Sequence, residues 1–82
     1  MREFTFLYEE QTDVRSLIED VKTCGHEVSL KTVEGDELSL KSTLCQFILF
    51  SLSERPDELR GAMLCGLGEE DYQRLSKYQK QK

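Results

Sequence analysis

Cys24-Gly25-His26 sets a thiol and the only imidazole of the chain two positions apart, beside a glycine. With Cys45 and Cys65 these residues make up a Cys₃His inventory of the kind that binds zinc, and a Cys–His pair is the beginning of a thiolate nucleophile. Spacing argues against both. Structural zinc sites hold their ligands in tight C-x₂₋₄-C pairs, whereas these cysteines lie about 20 residues apart. A nucleophile needs an orienting third group and a cleft, which spacing does not supply. The acidic runs at Glu9-Glu10 with Asp13, and at Glu69-Glu70-Asp71, are the remaining candidates for acid–base work. They read as helix-start charges and solvated surface. No H-E-x-x-H, G-x-S-x-G, phosphate-loop or dinucleotide pattern occurs. The sequence therefore assigns no catalytic residue, no cofactor and no metal, and the three cysteines are read as thiols.

The elements that must position these residues follow from periodicity. Arg2 to Glu9 alternates Phe4, Phe6 and Tyr8 on one face with Glu3, Thr5 and Leu7 on the other, which predicts a strand. Val14, Leu17, Ile18 and Val21 form an amphipathic helical stripe, with Thr12 or Asp13 as its cap. Gly25 falls just beyond, as a left-handed C-cap, so Cys24 ends a helix and His26 starts the next strand. Their adjacency is then a matter of chain reversal and not of chemistry.

Val28 and Leu30, then Leu38 and Leu40, alternate around Gly35 and predict a hairpin. A three-residue loop, Val33-Glu34-Gly35, pairs Leu30 with Leu38 and Val28 with Leu40 and keeps all four on one face. It also sets Glu27 against Lys41, Ser29 against Ser39 and Lys31 against Glu37. The run from Thr43 to Ser53 is apolar nearly all round. Its length, and a capping-box pattern of Thr43 with Gln46, predict a buried helix over a fourth strand. Pro56 opens a further helix with an inner stripe of Leu59, Ala62, Met63 and Gly66, ended by Gly66-Leu67-Gly68. A last helix turns Tyr72, Leu75 and either Tyr78 or Gln79 inward, and residues 80–82 are expected to fray. The expected fold is a single α+β domain over residues 1–82, a small sheet from a β-α-β-β unit packed with C-terminal helices.

An 82-residue chain with 38% hydrophobic and 33% charged residues is neither disordered nor large enough for two cores. Its net charge of −5 opposes sequence-independent nucleic-acid binding. The start of the chain lacks the pattern of a secretory leader and the longest apolar run is too short to span a bilayer, so a cytoplasmic protein that engages no membrane is expected. Charge is uneven, since residues 72–82 hold four bases and no acid on an otherwise acidic chain. A dipole-matched, solvated last helix accounts for this, and docking on an acidic partner is its functional counterpart.

With catalysis unsupported, the expected function is a non-enzymatic protein-interaction module: a regulator, inhibitor or assembly factor, of viral or mobile-element type among others. Its acidic surface would meet another protein, a basic one being the natural complement. A small-ligand-sensing homodimer is the alternative. The expected partner-binding element is the first strand, Phe4, Thr5, Phe6, Leu7 and Tyr8, placed beside one strand of the hairpin and hence at an edge. It has no lysine, proline or glycine to guard that edge against a partner peptide or a twin chain.

Overall fold

The computed structural model describes residues 3–80. In chain order the elements are β1 (Glu3–Leu7), α1 (Val14–Thr23), β2 (Ser29–Lys31), β3 (Glu37–Ser39), α2 (Thr43–Ser53), α3 (Pro56–Leu59), β4 (Met63–Leu67), α4 (Glu69–Leu75) and a 3₁₀ turn at Ser76–Tyr78. The four strands form one antiparallel sheet in the order β1-β4-β2-β3. The α+β class stands. Arg2, expected at the start of the first strand, lies outside the described residues.

β1 alternates as its sequence predicts, with Phe4, Phe6 and Tyr8 buried and Glu3, Thr5 and Leu7 on the other side. α1 buries Val14, Leu17, Ile18 and Val21 against that face, and Asp13 caps it by accepting the Arg15 N–H at 2.9 Å. The hairpin takes the expected register, Leu30 opposite Leu38, Ser29 opposite Ser39 and Lys31 opposite Glu37. Gly35, at φ 97°, closes the three-residue loop in the left-handed region that a glycine enters without a Cβ penalty. Of the flanking pair, Glu27 instead accepts from the Ser39 hydroxyl, and the Lys41 ammonium donates to the Cys24 carbonyl at 2.6 Å.

The helix expected from Pro56 through Gly66 is only one turn long. Gly61, at φ 83°, reverses the chain after it, and Met63–Leu67 becomes β4, a strand inserted between β1 and β2. Leu59, Ala62, Met63 and Gly66 mimic a helical stripe because Leu59 and Ala62 both turn to the core across the bend, while Leu64, outside the stripe, is the buried residue of β4. β1 is an edge strand, but its neighbour is β4 and not a hairpin strand. β1 and β2 thus run parallel with β4 between them, joined over one face by α1.

Three local expectations are also corrected. Gly25 does not adopt a left-handed conformation; Cys24 is the C-cap, extended at φ −71° and ψ 145°, because the Gly25 and His26 amides have another partner, described below. His26 precedes β2, which begins at Ser29. The Thr43–Gln46 capping box does not form: Ser42 is the N-cap, and the Gln46 side chain donates to the Leu40 carbonyl at 2.8 Å.

The core lies between the sheet and the helices, from Phe6, Leu30 and Leu64 on the strands and Leu40 just after β3 to Leu17, Leu49, Leu59 and Leu75 on the other side. Tyr72 of α4 meets Phe4 and Phe6 edge-on, with ring centroids 5.4 and 6.2 Å apart. On the opposite face, Thr5, Leu7, Ser29, Lys31, Glu37, Met63, Cys65 and Leu67 are all partly or fully exposed. The sheet is covered on one side only, giving a two-layer molecule. No helix of the described residues is long and apolar enough to cross a membrane.

Candidate functional site

The Cys24–His26 stretch is tied to the body by one carboxylate. Asp71 of α4 is 3% exposed, and its two oxygens accept the backbone N–H groups of Gly25 and His26, each at 3.1 Å. The His26 Nδ1 lies 3.4 Å from Oδ2, an ion-pair distance without hydrogen-bond geometry, and Arg74 reaches Oδ1 at 3.8 Å. Burial alone would raise the Asp71 pKa; the two amides and the imidazole outweigh it and hold the carboxyl below the ordinary aspartate value. Cys24, donating to the Asp20 carbonyl at 3.4 Å, has its pKa pushed up by burial and by the Asp71 charge. A thiol so placed keeps its proton, the reverse of what a nucleophile needs. Among the described residues no three His, Cys, Asp or Glu side chains converge as a ligand set: Cys45 is on α2 and Cys65 on the open face of the sheet. The arrangement fastens a loop to a helix. Nothing in the sequence distinguishes Asp71 from its exposed neighbours Glu69 and Glu70, so its role was not legible there.

The basic C-terminal segment folds back on the acidic body. Lys77 pairs with Asp20 at 2.9 Å and Lys80 with both oxygens of Glu10 at 3.1 Å. Those contacts engage the charges that would otherwise face an acidic partner. The Lys80 N–H also donates to the Leu7 carbonyl at 2.7 Å, so the chain is pinned at a position expected to fray; residues 81 and 82 lie outside the described residues.

That pinning bears on the first strand. The Glu9 N–H donates to the Tyr78 carbonyl at 2.9 Å and Tyr8 bridges to Gln79, so Tyr78–Lys80 lines the outer edge beyond Thr5. The structure places the five expected partner-binding residues in two groups. Phe4, Phe6 and Tyr8 turn their side chains into the core, whereas Thr5 and Leu7 face the open side of the sheet. Of these five residues, the outward backbone groups of Thr5 and the Leu7 N–H are the ones without a backbone partner among the described residues.

The largest apolar exposure is elsewhere, on α2. This helix packs Leu49, with Cys45 and Leu52 beside it, against the core, and leaves Leu44 70%, Phe47 68%, Ile48 40% and Phe50 36% exposed. Leu44, Phe47 and Ser51 run along its outermost line, with Ile48 and Phe50 on the two flanks. Residues 42–53 contain no charge. At roughly 200 Å² for a large side chain, those exposures leave about 400 Å² of apolar surface on one helix face, within the range of the largest patch on a typical monomer, which is often functional. An apolar-all-round helix was expected to be buried. Size explains the difference: an 82-residue, two-layer molecule has no third layer with which to cover the far side of a helix. The same size argument, applied to the sequence, was the signal that could have located this surface.

No known protein family, curated protein or solved structure matches the chain.

Proposed function

We propose that this chain is a non-enzymatic protein-interaction module of the regulator, inhibitor or assembly-factor kind, and that its docking surface is the outer face of α2. The observation that carries this reading is the exposure of Leu44, Phe47, Ile48 and Phe50 on a helix without a charged residue. Holding such a patch in water costs solubility and offers the fold nothing in return, so its value lies in being covered. Aromatic side chains within an apolar patch are also what binding hot spots are made of. The protonated, buried Cys24 and the structural use of Asp71 favour binding over catalysis.

The test compares capture by tagged wild-type protein and by Phe47→Asp and Leu44→Asp, each shown to keep its melting transition. Loss of the captured protein in both variants is the expected result. Capture that survives both substitutions means that another surface does the binding, and the reading falls.

A further inference from the structure

Resting on the reading of α2 as a docking surface, we infer that its occupant is a second copy of this chain, bound across a twofold axis with the two α2 helices antiparallel. Three observations point the same way. First, a twofold contact sets a surface against its own image, so any charge within it meets a like charge near the axis. Residues 42–53 contain none, and the line Leu44, Phe47, Ser51 is therefore free to face itself.

Second, the charges at the two ends of the helix are opposite. Lys41, whose ammonium also donates to the Cys24 carbonyl at 2.6 Å, precedes α2, and Glu54 is its C-cap, both residues exposed; the next charge, Arg55, pairs with Glu58 at 3.6 Å. Antiparallel approach of two such helices, each about 16 Å long, sets Lys41 of one copy by Glu54 of the other at both ends of the contact, and opposes the helix dipoles favourably. It also sets the large Leu44 against the small Ser51, with Phe47 and Ile48 meeting near the axis, the large-against-small interleaving that lets helices approach closely. A parallel arrangement would instead bring lysine to lysine and glutamate to glutamate.

Third, the patch has the area of an interface centre. A standard interface takes about 800 Å² from each partner, with an apolar centre and a polar rim. The patch of about 400 Å² supplies about half of that area as the centre, and Thr43 with the two end charges lies at its rim.

Salt separates this occupant from the basic partner that the acidic composition suggests. Each copy carries a net charge of −5, so bringing two together is opposed at long range, and screening that repulsion tightens the dimer. Association with a basic protein would weaken under the same change.

The experiment is sedimentation equilibrium of the full chain over about 5 to 500 µM protein, a span that brackets micromolar dissociation constants, at about 50 and 500 mM salt. Expected are a monomer–dimer equilibrium that tightens at the higher salt, at least about tenfold weakening by Phe47→Asp and by Leu44→Asp, and retention by Phe47→Leu. Circular dichroism of each variant checks that the fold is kept. A wild type that has the mass of one chain throughout overturns the dimer. If the α2 variants still lose a captured protein in that case, the docking surface stands and its occupant is a different one. A dimer that persists unchanged in both aspartate variants also overturns the inference, since association then uses another surface.

Discussion

Asp71 holds His26 at two points, accepting its backbone N–H at 3.1 Å while Oδ2 lies 3.4 Å from the ring Nδ1. The second carboxylate oxygen takes the neighbouring Gly25 N–H at 3.1 Å. Two amides at the exit of α1 are thereby satisfied from a helix 45 residues away along the chain. Asn at position 71 offers one acceptor and an NH₂ group, so one of the two N–H groups faces a donor. Asp71→Asn should cost about 2 kcal/mol, the price of a buried, unsatisfied donor and a lost charge-assisted bond. For a chain of this length the melting midpoint falls by about 10 °C. An unchanged midpoint would show that water replaces the carboxylate.

The same carboxylate gives an acid dependence. Its folded pKa lies below the ordinary 3.8, so its contribution is fully present above that value and is lost as the pH falls through the folded value. His26, Arg74 and Cys24 are the titratable or charged groups around it. Wild-type protein should lose stability below about pH 4, and Asp71→Asn should show a shallower loss over the same range in urea titrations. Parallel curves for the two proteins would assign the acid transition to other carboxylates.

On the alkaline side, Tyr8 and Tyr78 are buried and hydrogen-bonded. Burial, and then the Asp20 carboxylate that accepts the Tyr78 hydroxyl proton, raise the Tyr78 pKa far above 10.0; burial raises that of Tyr8, against the hydrogen bond with Thr12. For an acid with a raised folded pKa the stabilisation is present below the unfolded value and is lost as the pH rises towards the folded one. Absorbance titration should find the Tyr78 phenol un-ionised at pH 10 to 11 for as long as the protein is folded, its ionisation and the loss of helix signal coinciding, with the Tyr8 phenol shifted in the same direction. Phenolate absorbance from Tyr78 in still-folded protein at that pH would mean that its ring is open to solvent.

Gly35→Val should destabilise by about 1 kcal/mol or more, because a β-branched residue resists φ near 97°. An unaltered midpoint would place the loop in another conformation. The hairpin could be read from the sequence because alternation with period two leaves few registers in which Val28, Leu30, Leu38 and Leu40 share a face. The stripe of α1 was legible for the equivalent reason at period 3.6. β4 was not, because a bend at Gly61 inside an apolar run makes two short elements look like one, and three of its five positions, Met63, Cys65 and Gly66, are small or flexible residues whose burial is decided by neighbours distant in sequence. Asp71 and the bared face of α2 share that second cause. Local pattern says what an element can bury, and only the assembled layers say what remains uncovered.

Gly66 and Phe4 stand opposite each other on β4 and β1, and a Cβ at position 66 would come within 2.5 Å of the Phe4 ring. The ring fills the space that a side chain would otherwise take. Gly66→Ala must displace it, and with it the edge contact to Tyr72. A loss of about 1 to 3 kcal/mol is expected from overpacking, measured by urea unfolding. Phe4→Leu should relieve the conflict, so the double variant should be less destabilised than the two single changes added together. Strict additivity would mean that the ring already has room to move.

Thr5→Pro separates the two surfaces on which association can be argued. The Thr5 N–H points away from β4, since the inward groups of β1 are those of the Phe4, Phe6 and Tyr8 register, and the Tyr8 N–H bonds to Ala62 at 2.8 Å. Proline at this position removes an outward donor while leaving the ladder to β4 intact, which an edge strand tolerates. The outward groups towards the end of the strand, the Leu7 carbonyl and the Glu9 N–H, are already taken by Lys80 and Tyr78, so an added strand would find the outward groups of Glu3 and Thr5 and the Leu7 N–H to pair with. A short edge of that kind supports little strand addition, whereas the α2 patch is broad and apolar. The variant should therefore keep its fold, its self-association and its captured protein, the last two of which Phe47→Asp changes. If a folded Thr5→Pro protein becomes monomeric while Phe47→Asp does not, the edge of β1 is the contact and the face of α2 is not.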